Sequence, residues 1–449
     1  VAGSGNVHIN IDPGSSSVRI RDDGPGLSGP EARAALIPIA NSQKHRGRDR
    51  GFRGIGRLSG LGFAKSVTFR TRAEAGAPVA QVAWNAESLK RWVSETGDIN
   101  QAISTAVRLE TVPARDEPDH FFEVEIEGVS RQVANRILNR HAVRRYLAQT
   151  CPVPLSESFP FAAAISDFLC NQTAPLTLKI TINDDPAPVT RPHRDQVIFS
   201  DTRTMDYTEL ETISVPSMDS DKPTAIGWLA HSTSLGAIPR AAGVGGVRAR
   251  EGNMQVGGHD VFAHLFAETR FNSWCVGELH ILDARITPNN QRYYFELNPP
   301  LRNLENHLGA SFHRITARCR KASANRNAER HLAAVIEECE DAYALAASGF
   351  LRSEDANQII DDSLQRLTVA RGRLPLINGY AGKSGNDLLA TENKLKNFPD
   401  LQCPEPFRGM KKSRAATFQN IFRSLYRSSS SPSMALELIQ AVMADSKRG

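Results

Sequence analysis

Two glycine motifs in a fixed order limit the folds open to this chain. The first, Asp22-Asp23-Gly24-Pro25-Gly26, ends a strand-like run; the second, Gly51-Phe52-Arg53-Gly54-Ile55-Gly56, leads into Arg57-Leu58-Ser59-Gly60-Leu61-Gly62. Asp and Gly tolerate the dihedrals of a tight turn, so the first motif alone reads equally well as a simple turn. Glycines spaced as in the second let backbone N–H groups approach a phosphate chain, and a following helix adds the positive end of its dipole. A dinucleotide-binding loop would directly follow a strand and precede an acidic residue about 20 positions on. Here the glycines follow a basic loop and the next strand is rich in Arg and Thr, which disfavours that reading.

The flanking residues predict elements that hold both motifs. Val7 to Ile11 and Ser17 to Arg21 alternate apolar and polar residues around Asp12-Pro13-Gly14, the pattern of a hairpin. A helix is expected from Gly29 to Ile37, with Pro30 suited to its first turn and Glu31 to its dipole. A second is expected from about Ile55, then strands at Ser66 to Thr71, Val79 to Trp84 and Phe121 to Glu127, and one helix over Ser130 to Thr150. Pro152, Pro154 and Pro160 suggest a first boundary near residue 157.

In this order, the two motifs resemble the ATP site of the GHKL (Bergerat-fold) superfamily of gyrase, the ninety-kilodalton heat-shock chaperone, histidine kinases and MutL. The resemblance implies a two-layer α/β sandwich that binds ATP with Mg2+. It carries Asp22 into the role of acceptor for the adenine amino group, with Gly24 and Gly26 curving around the base and Gly51, Gly54 and Gly56 lining the triphosphate. Ile39-Ala40-Asn41-Ser42-Gln43-Lys44 is similar to the start of the family's lid, so Asn41, Ser42 and Lys44 become nucleotide-contact candidates. As a bare charge run, the same stretch reads as a solvated loop.

Two departures stand out. The family's earlier helix carries a Glu that activates water and an Asn that ligates magnesium. Residues 1 to 21 contain no Glu, and Asn6 and Asn10 lie in or beside a strand-like stretch. A general base must reach its water, and magnesium needs oxygen ligands. With Val1 standing where Met would open a natural chain, an upstream segment is expected. The family's late Gly-Thr pair is also missing where Asp119-His120-Phe121-Phe122-Glu123 stands.

Further on, Leu176 to Phe295 holds the strand candidates Leu176 to Ile182, Thr224 to Ala230, Gly246 to Arg250 and Val276 to Leu282. Trp274 to Asp283 followed by Arg285-Ile286-Thr287-Pro288-Asn289-Asn290-Gln291-Arg292 looks like the end of the chaperone's middle domain. That resemblance makes Arg292 a candidate for reaching the γ-phosphate; pairing with Glu296 is the competing role. His280 reads as a half-buried strand histidine, Trp228, Trp274, Phe262 and Phe266 as core, and Arg248 and Arg250 as a solvated strand edge or a partner-facing pair. From Leu301 the pattern turns helical, with Leu332, Val335, Ile336, Cys339 and Tyr343 on one stripe and another helix over Ser353 to Arg371. The polar tail after Gly379 reads as a linker or poorly ordered appendage.

The expected class is therefore α+β: a sandwich over residues 1–157, an α+β middle domain over 158–300, and a mainly helical region with a polar tail over 301–449. Among 449 residues a net charge of +5 falls short of a dedicated nucleic-acid surface. No run approaches a membrane helix, and six scattered cysteines without zinc spacing suggest reduced thiols in a cytoplasmic protein. By resemblance, the leading function is ATP-driven lid closure and domain docking on a protein partner, in a homodimer. A MutL- or MORC-like nucleic-acid clamp and a degenerate, non-hydrolysing interaction protein are the alternatives. A histidine kinase is disfavoured, since no phospho-accepting helix precedes the site.

Overall fold

The structure is a computed structural model and describes residues 4–39, 56–95, 99–173, 175–200, 203–232, 236–373, 383–399 and 405–446. The chain divides into two compact units, 1–319 and 320–449.

The first unit opens with the expected hairpin, β1 (Ser4–Asp12) and β2 (Ser17–Asp22), paired antiparallel with Ile9 opposite Ile20. Helix α1 (Gly29–Leu36) follows, and Glu31 accepts hydrogen bonds from both Ser28 N (2.9 Å) and Ser28 Oγ (2.7 Å) at its start. Its Ala32 and Leu36 pack beneath β3 (Ser66–Arg72) and β4 (Val79–Asn85), where the buried Trp84 donates Nε1–H to Leu36 O. Instead of a helix from Ile55 there is a 3-10 segment, Gly56–Gly62. Glycines at 56, 60 and 62 weaken an α-helix by about 1 kcal/mol each, which removes the reason to prolong it.

Next come α2 (Ala86–Glu95), α3 (Ile99–Ala106), β5 (Val107–Val112) and β6 (Phe121–Glu127). The single helix expected over Ser130 to Thr150 is two, α4 (Arg131–Ile137) and α5 (Arg140–Thr150). Leu138 closes the first and Asn139 caps the second, its side chain accepting from Ala142 N at 3.0 Å. After α6 (Ala162–Gln172), β7 (Thr177–Ile182) returns to lie parallel to β1. The sheet order is β5-β4-β3-β6-β2-β1-β7, so a strand beyond residue 157 completes the first sheet.

That sheet has two unlike faces. Val67, Phe69, Val82, Trp84, Phe122 and Val124 gather with α1 on one. On the other, Arg21 and Arg70 each hold both Glu117 and the fully buried Glu123, and Arg19 holds Glu125. Alternation along β2, β3 and β6 produces the split.

A second, mixed sheet is built from β8 (Gln196–Ser200), β9 (Arg203–Val215), β10 (Ala225–Ser232), β11 (Gly246–Glu251), β12 (Met254–Val256) and β13 (Val276–Ile281). Its order is β12-β11-β13-β10-β9-β8, with β11 parallel to β13 and the other pairs antiparallel. Because β11 is interior and not an edge, Arg248 and Arg250 are 2% and 0% exposed, which corrects the solvated or partner-facing reading. Trp228, Phe262 and Phe266 are buried as expected.

Helix α7 (Pro299–Ala347) contains the division between the units. The second unit continues with α8 (Ser353–Gly372), α9 (Lys383–Lys396), α10 (Lys412–Ser428) and α11 (Pro432–Ser446). The tail is thus no linker: Leu388, Leu395, Phe422, Ala435, Ile439 and Met443 share a core with Leu332, Cys339 and Leu367. Apolar residues three, four or seven apart within a polar background form these stripes, which composition alone conceals. The cysteines at 151, 170, 275, 319 and 339 are free thiols, and no helix among the described residues is long and apolar enough to cross a membrane.

Candidate functional site

The first glycine motif closes β2 against three neighbouring strands. Val7, Asp22, Phe122, Thr71 and Ala80 are successive cross-strand partners, so their side chains form one row on the face that packs against α1. Asp22 is placed on that face by the alternation that buries Val18.

The two adjacent aspartates play different parts. Asp23 accepts from Asn6 N (2.8 Å) and Asn6 Nδ2 (2.6 Å) and so ties the loop to β1; these bonds hold its pKa below the ordinary value. Asp22 is half-buried, and burial raises its pKa despite the hydrogen bond from Gly24 N (2.9 Å). Gly24 N is the one donor that the described residues place on the Asp22 carboxylate, which leaves acceptor capacity for a ligand.

Gly26 explains the tight turn. Its φ is +66°, and a Cβ there would lie 1.8 Å from Arg72 O and 2.9 Å from Phe121 O. The carbonyl ends of β3 and the start of β6 therefore press on the glycine from above. Thr71, fully buried, secures the arrangement by accepting from Leu27 N (2.8 Å) and donating to Phe121 O (3.0 Å). His120 Nδ1 lies 2.9 Å from Gly24 O and adds a second clasp. Sequence reasoning missed both residues. Thr71 could have been found, since alternation along Ser66–Arg72 puts it on the inward face with Val67 and Phe69.

Of the remaining candidates, Gly56 begins the 3-10 segment, and a Cβ at that position would meet nothing within 4 Å. Asn41, Ser42, Lys44, Gly51 and Gly54 lie outside the described residues. Arg292 stands after the second sheet with φ +55°, and its guanidinium meets Glu251 at 3.1 Å. Among the described residues no group of three or more His, Cys, Asp or Glu is placed to hold a metal ion.

The second sheet carries a buried charge cluster that sequence did not announce. Glu278 on β13 pairs with Arg191 and, at 2.7 Å, with Arg250, while His280 lies 3.5 Å away. Burial alone would push the Glu278 carboxyl up; Arg191 and Arg250 override it and hold it well below the usual range. Asn253, at φ +67°, accepts from Arg191 and donates to Leu176 O at 2.6 Å, stitching the segment before β7 to the β11–β12 turn.

The first sheet thus carries helices on one face, and β2 ends on a half-buried carboxylate beside a compressed glycine turn. Residues 1–108 match the family described as Histidine kinase-, DNA gyrase B-, and HSP90-like ATPase, which supports a GHKL-type ATPase domain in this segment. No curated protein matches the chain.

Proposed function

We propose that this chain binds ATP at the turn that follows β2, with the Asp22 carboxylate accepting from the adenine amino group. The observation that carries the reading is the partition between Asp22 and Asp23: one is committed to Asn6, the other is half-buried with acceptor capacity to spare. Gly24 and Gly26 shape the wall beside the base. The glycines at 51, 54 and 56, with Asn41, Ser42 and Lys44, are assigned to the phosphates and the lid by resemblance. ATP bound in this way would favour a closed lid and a docked middle region, shifting a conformational equilibrium that acts on a protein partner. Arg292 is the proposed cation for the γ-phosphate; to serve there it would exchange Glu251 for phosphate. Magnesium would enter with the triphosphate, and no step is assigned to it.

Titration of the full natural chain with ATP, beside Asp22→Asn, tests this reading. A charge-assisted hydrogen bond is worth about 1.5–3 kcal/mol, so the variant should bind roughly ten- to hundredfold more weakly. Equal affinity in the two proteins would refute the assignment.

A further inference from the structure

Between α5 and the β11 side of the second sheet lies a cavity of about 500 Å³ whose lining includes Gln149, Arg240, Arg248, His259, Asp260 and Arg270. The volume falls in the range of small-molecule sites. Its chemistry is set by Arg248, which is 2% exposed. The guanidinium is gripped by neutral backbone oxygens: Nη2 donates to Gly243 O (2.7 Å), and Nη1 to Val244 O (2.9 Å) and Gly246 O (3.4 Å). Its Nε is buried without a hydrogen-bond partner among the described residues, and no carboxylate among them forms an ion pair with it.

The neighbouring charges compensate it only in part: burial lowers its pKa to about 10, and the Glu278 charge that opposes this is shared with other cations. Glu278 is already engaged by Arg191 and Arg250, so the buried region holds three guanidinium groups to one carboxylate. At the cavity, Arg240 is exposed and has no ion-pair partner among the described residues, whereas Arg270 meets Glu268 at 2.6 Å. Asp260 is the acid in the lining. Burial keeps the His259 pKa below its ordinary value, so that ring adds no charge near neutrality. A buried cation whose direct hydrogen bonds all go to neutral oxygens, and whose nearest carboxylate is shared with two other guanidinium groups, is costly unless a further anion completes it.

We propose that this cavity binds a phosphorylated small molecule, its phosphate received by Arg248 with Arg240 and Arg270 as the exposed arms of the site. Planar guanidinium groups suit the phosphate oxygens bidentately, and the space beyond a single phosphate leaves room for the body of the ligand. None of these residues belongs to the turn around Asp22, so the site is separate from the proposed ATP site and stands or falls without it.

The test is a calorimetric titration of the full natural chain with inorganic phosphate at constant ionic strength, using chloride as the control. The panel is wild type, Arg240→Gln, Arg270→Gln and Asp260→Asn, all at exposed positions that leave the fold intact. Expected are saturable phosphate binding, about tenfold weaker in each arginine variant, and severalfold tighter in Asp260→Asn as the opposing charge is removed. Arg248→Met, if it folds, should abolish binding. Phosphate binding no stronger than chloride, or binding indifferent to the three exposed substitutions, would overturn the proposal. So would a short DNA duplex that loses affinity in the arginine variants while free phosphate binds none of them, since the arginines would then serve a polymer backbone.

Discussion

Gly26→Ala should be among the most disruptive single-methyl additions in the first sheet. An alanine at φ +66° costs roughly 1–2 kcal/mol in backbone energy alone. The added Cβ would also sit 1.8 Å from Arg72 O, whereas a comfortable carbon–oxygen contact is about 3.3–3.6 Å, so the end of β3 must retreat. Retreat breaks the Thr71 bonds to Leu27 N and Phe121 O, each worth about 1 kcal/mol. The sum is about 3–4 kcal/mol, concentrated in the turn. Gly24→Ala provides the contrast: its Cβ would meet Asp22 Oδ1 at 2.6 Å, a side-chain atom that can rotate away. That variant should fold nearly as well as wild type yet displace the carboxylate proposed for adenine. Hydrogen exchange at Leu27 and urea unfolding read both effects. A Gly26→Ala protein with wild-type protection at Leu27 and stability within about 0.5 kcal/mol would refute the steric reasoning.

Three further outcomes are expected. Burial pushes the His193 imidazole down to about 3, and neither ring nitrogen finds a hydrogen-bond partner among the described residues, so the unfolded chain binds a proton from about pH 6.5 that the folded chain refuses. Stability should therefore fall on acidification through that window by on the order of 1 kcal/mol per pH unit. His193→Phe should flatten the slope in urea titrations at pH 7 and pH 5; an unchanged slope would contradict this. Glu278→Gln leaves Arg191 and Arg250 buried without their anion and should cost about 3–5 kcal/mol in the same assay; the wild-type contribution is present above the ordinary carboxylate pKa and is lost as pH falls through the depressed folded value. Because burial raises the Asp22 pKa, ADP affinity should begin to weaken on acidification at a higher pH than an ordinary Asp would dictate, and Asp22→Asn should lack that inflection.

The parts legible in the sequence were those written locally. Alternation gave the first hairpin, and Pro30 with Glu31 gave the start of α1. What was not legible depends on distant partners. Arg248 and Arg250 look like surface residues until β13 and β12 flank them and Glu278 supplies one shared carboxylate. The second arm of the charge cluster, Arg191, comes from a loop before β8 that carries no motif. Thr71 is ordinary until Phe121 and Leu27 converge on its hydroxyl. The helices after residue 383 were masked by composition, because a stripe such as Ala435, Ile439 and Met443 occupies few positions in an otherwise polar stretch.

The parallel seating of β7 on β1 also shapes how the chain must be made. Every other strand of the first sheet appears by residue 127, but the outer side of β1 stays bare until Thr177–Ile182 has been synthesised. At ribosomal rates that is a wait of roughly ten to thirty seconds after β1 emerges. During it, an unpaired edge carrying Val7, Ile9 and Ile11 offers a template to any neighbouring nascent chain. The residues of the charged face, Arg19, Arg21 and Arg70 with Glu117, Glu123 and Glu125, have all been synthesised by then, and their pairing would lend the incomplete sheet a water-compatible surface. A fragment ended before β7 would hold that vulnerable intermediate permanently, and solubility would distinguish it from one ended after Ile182.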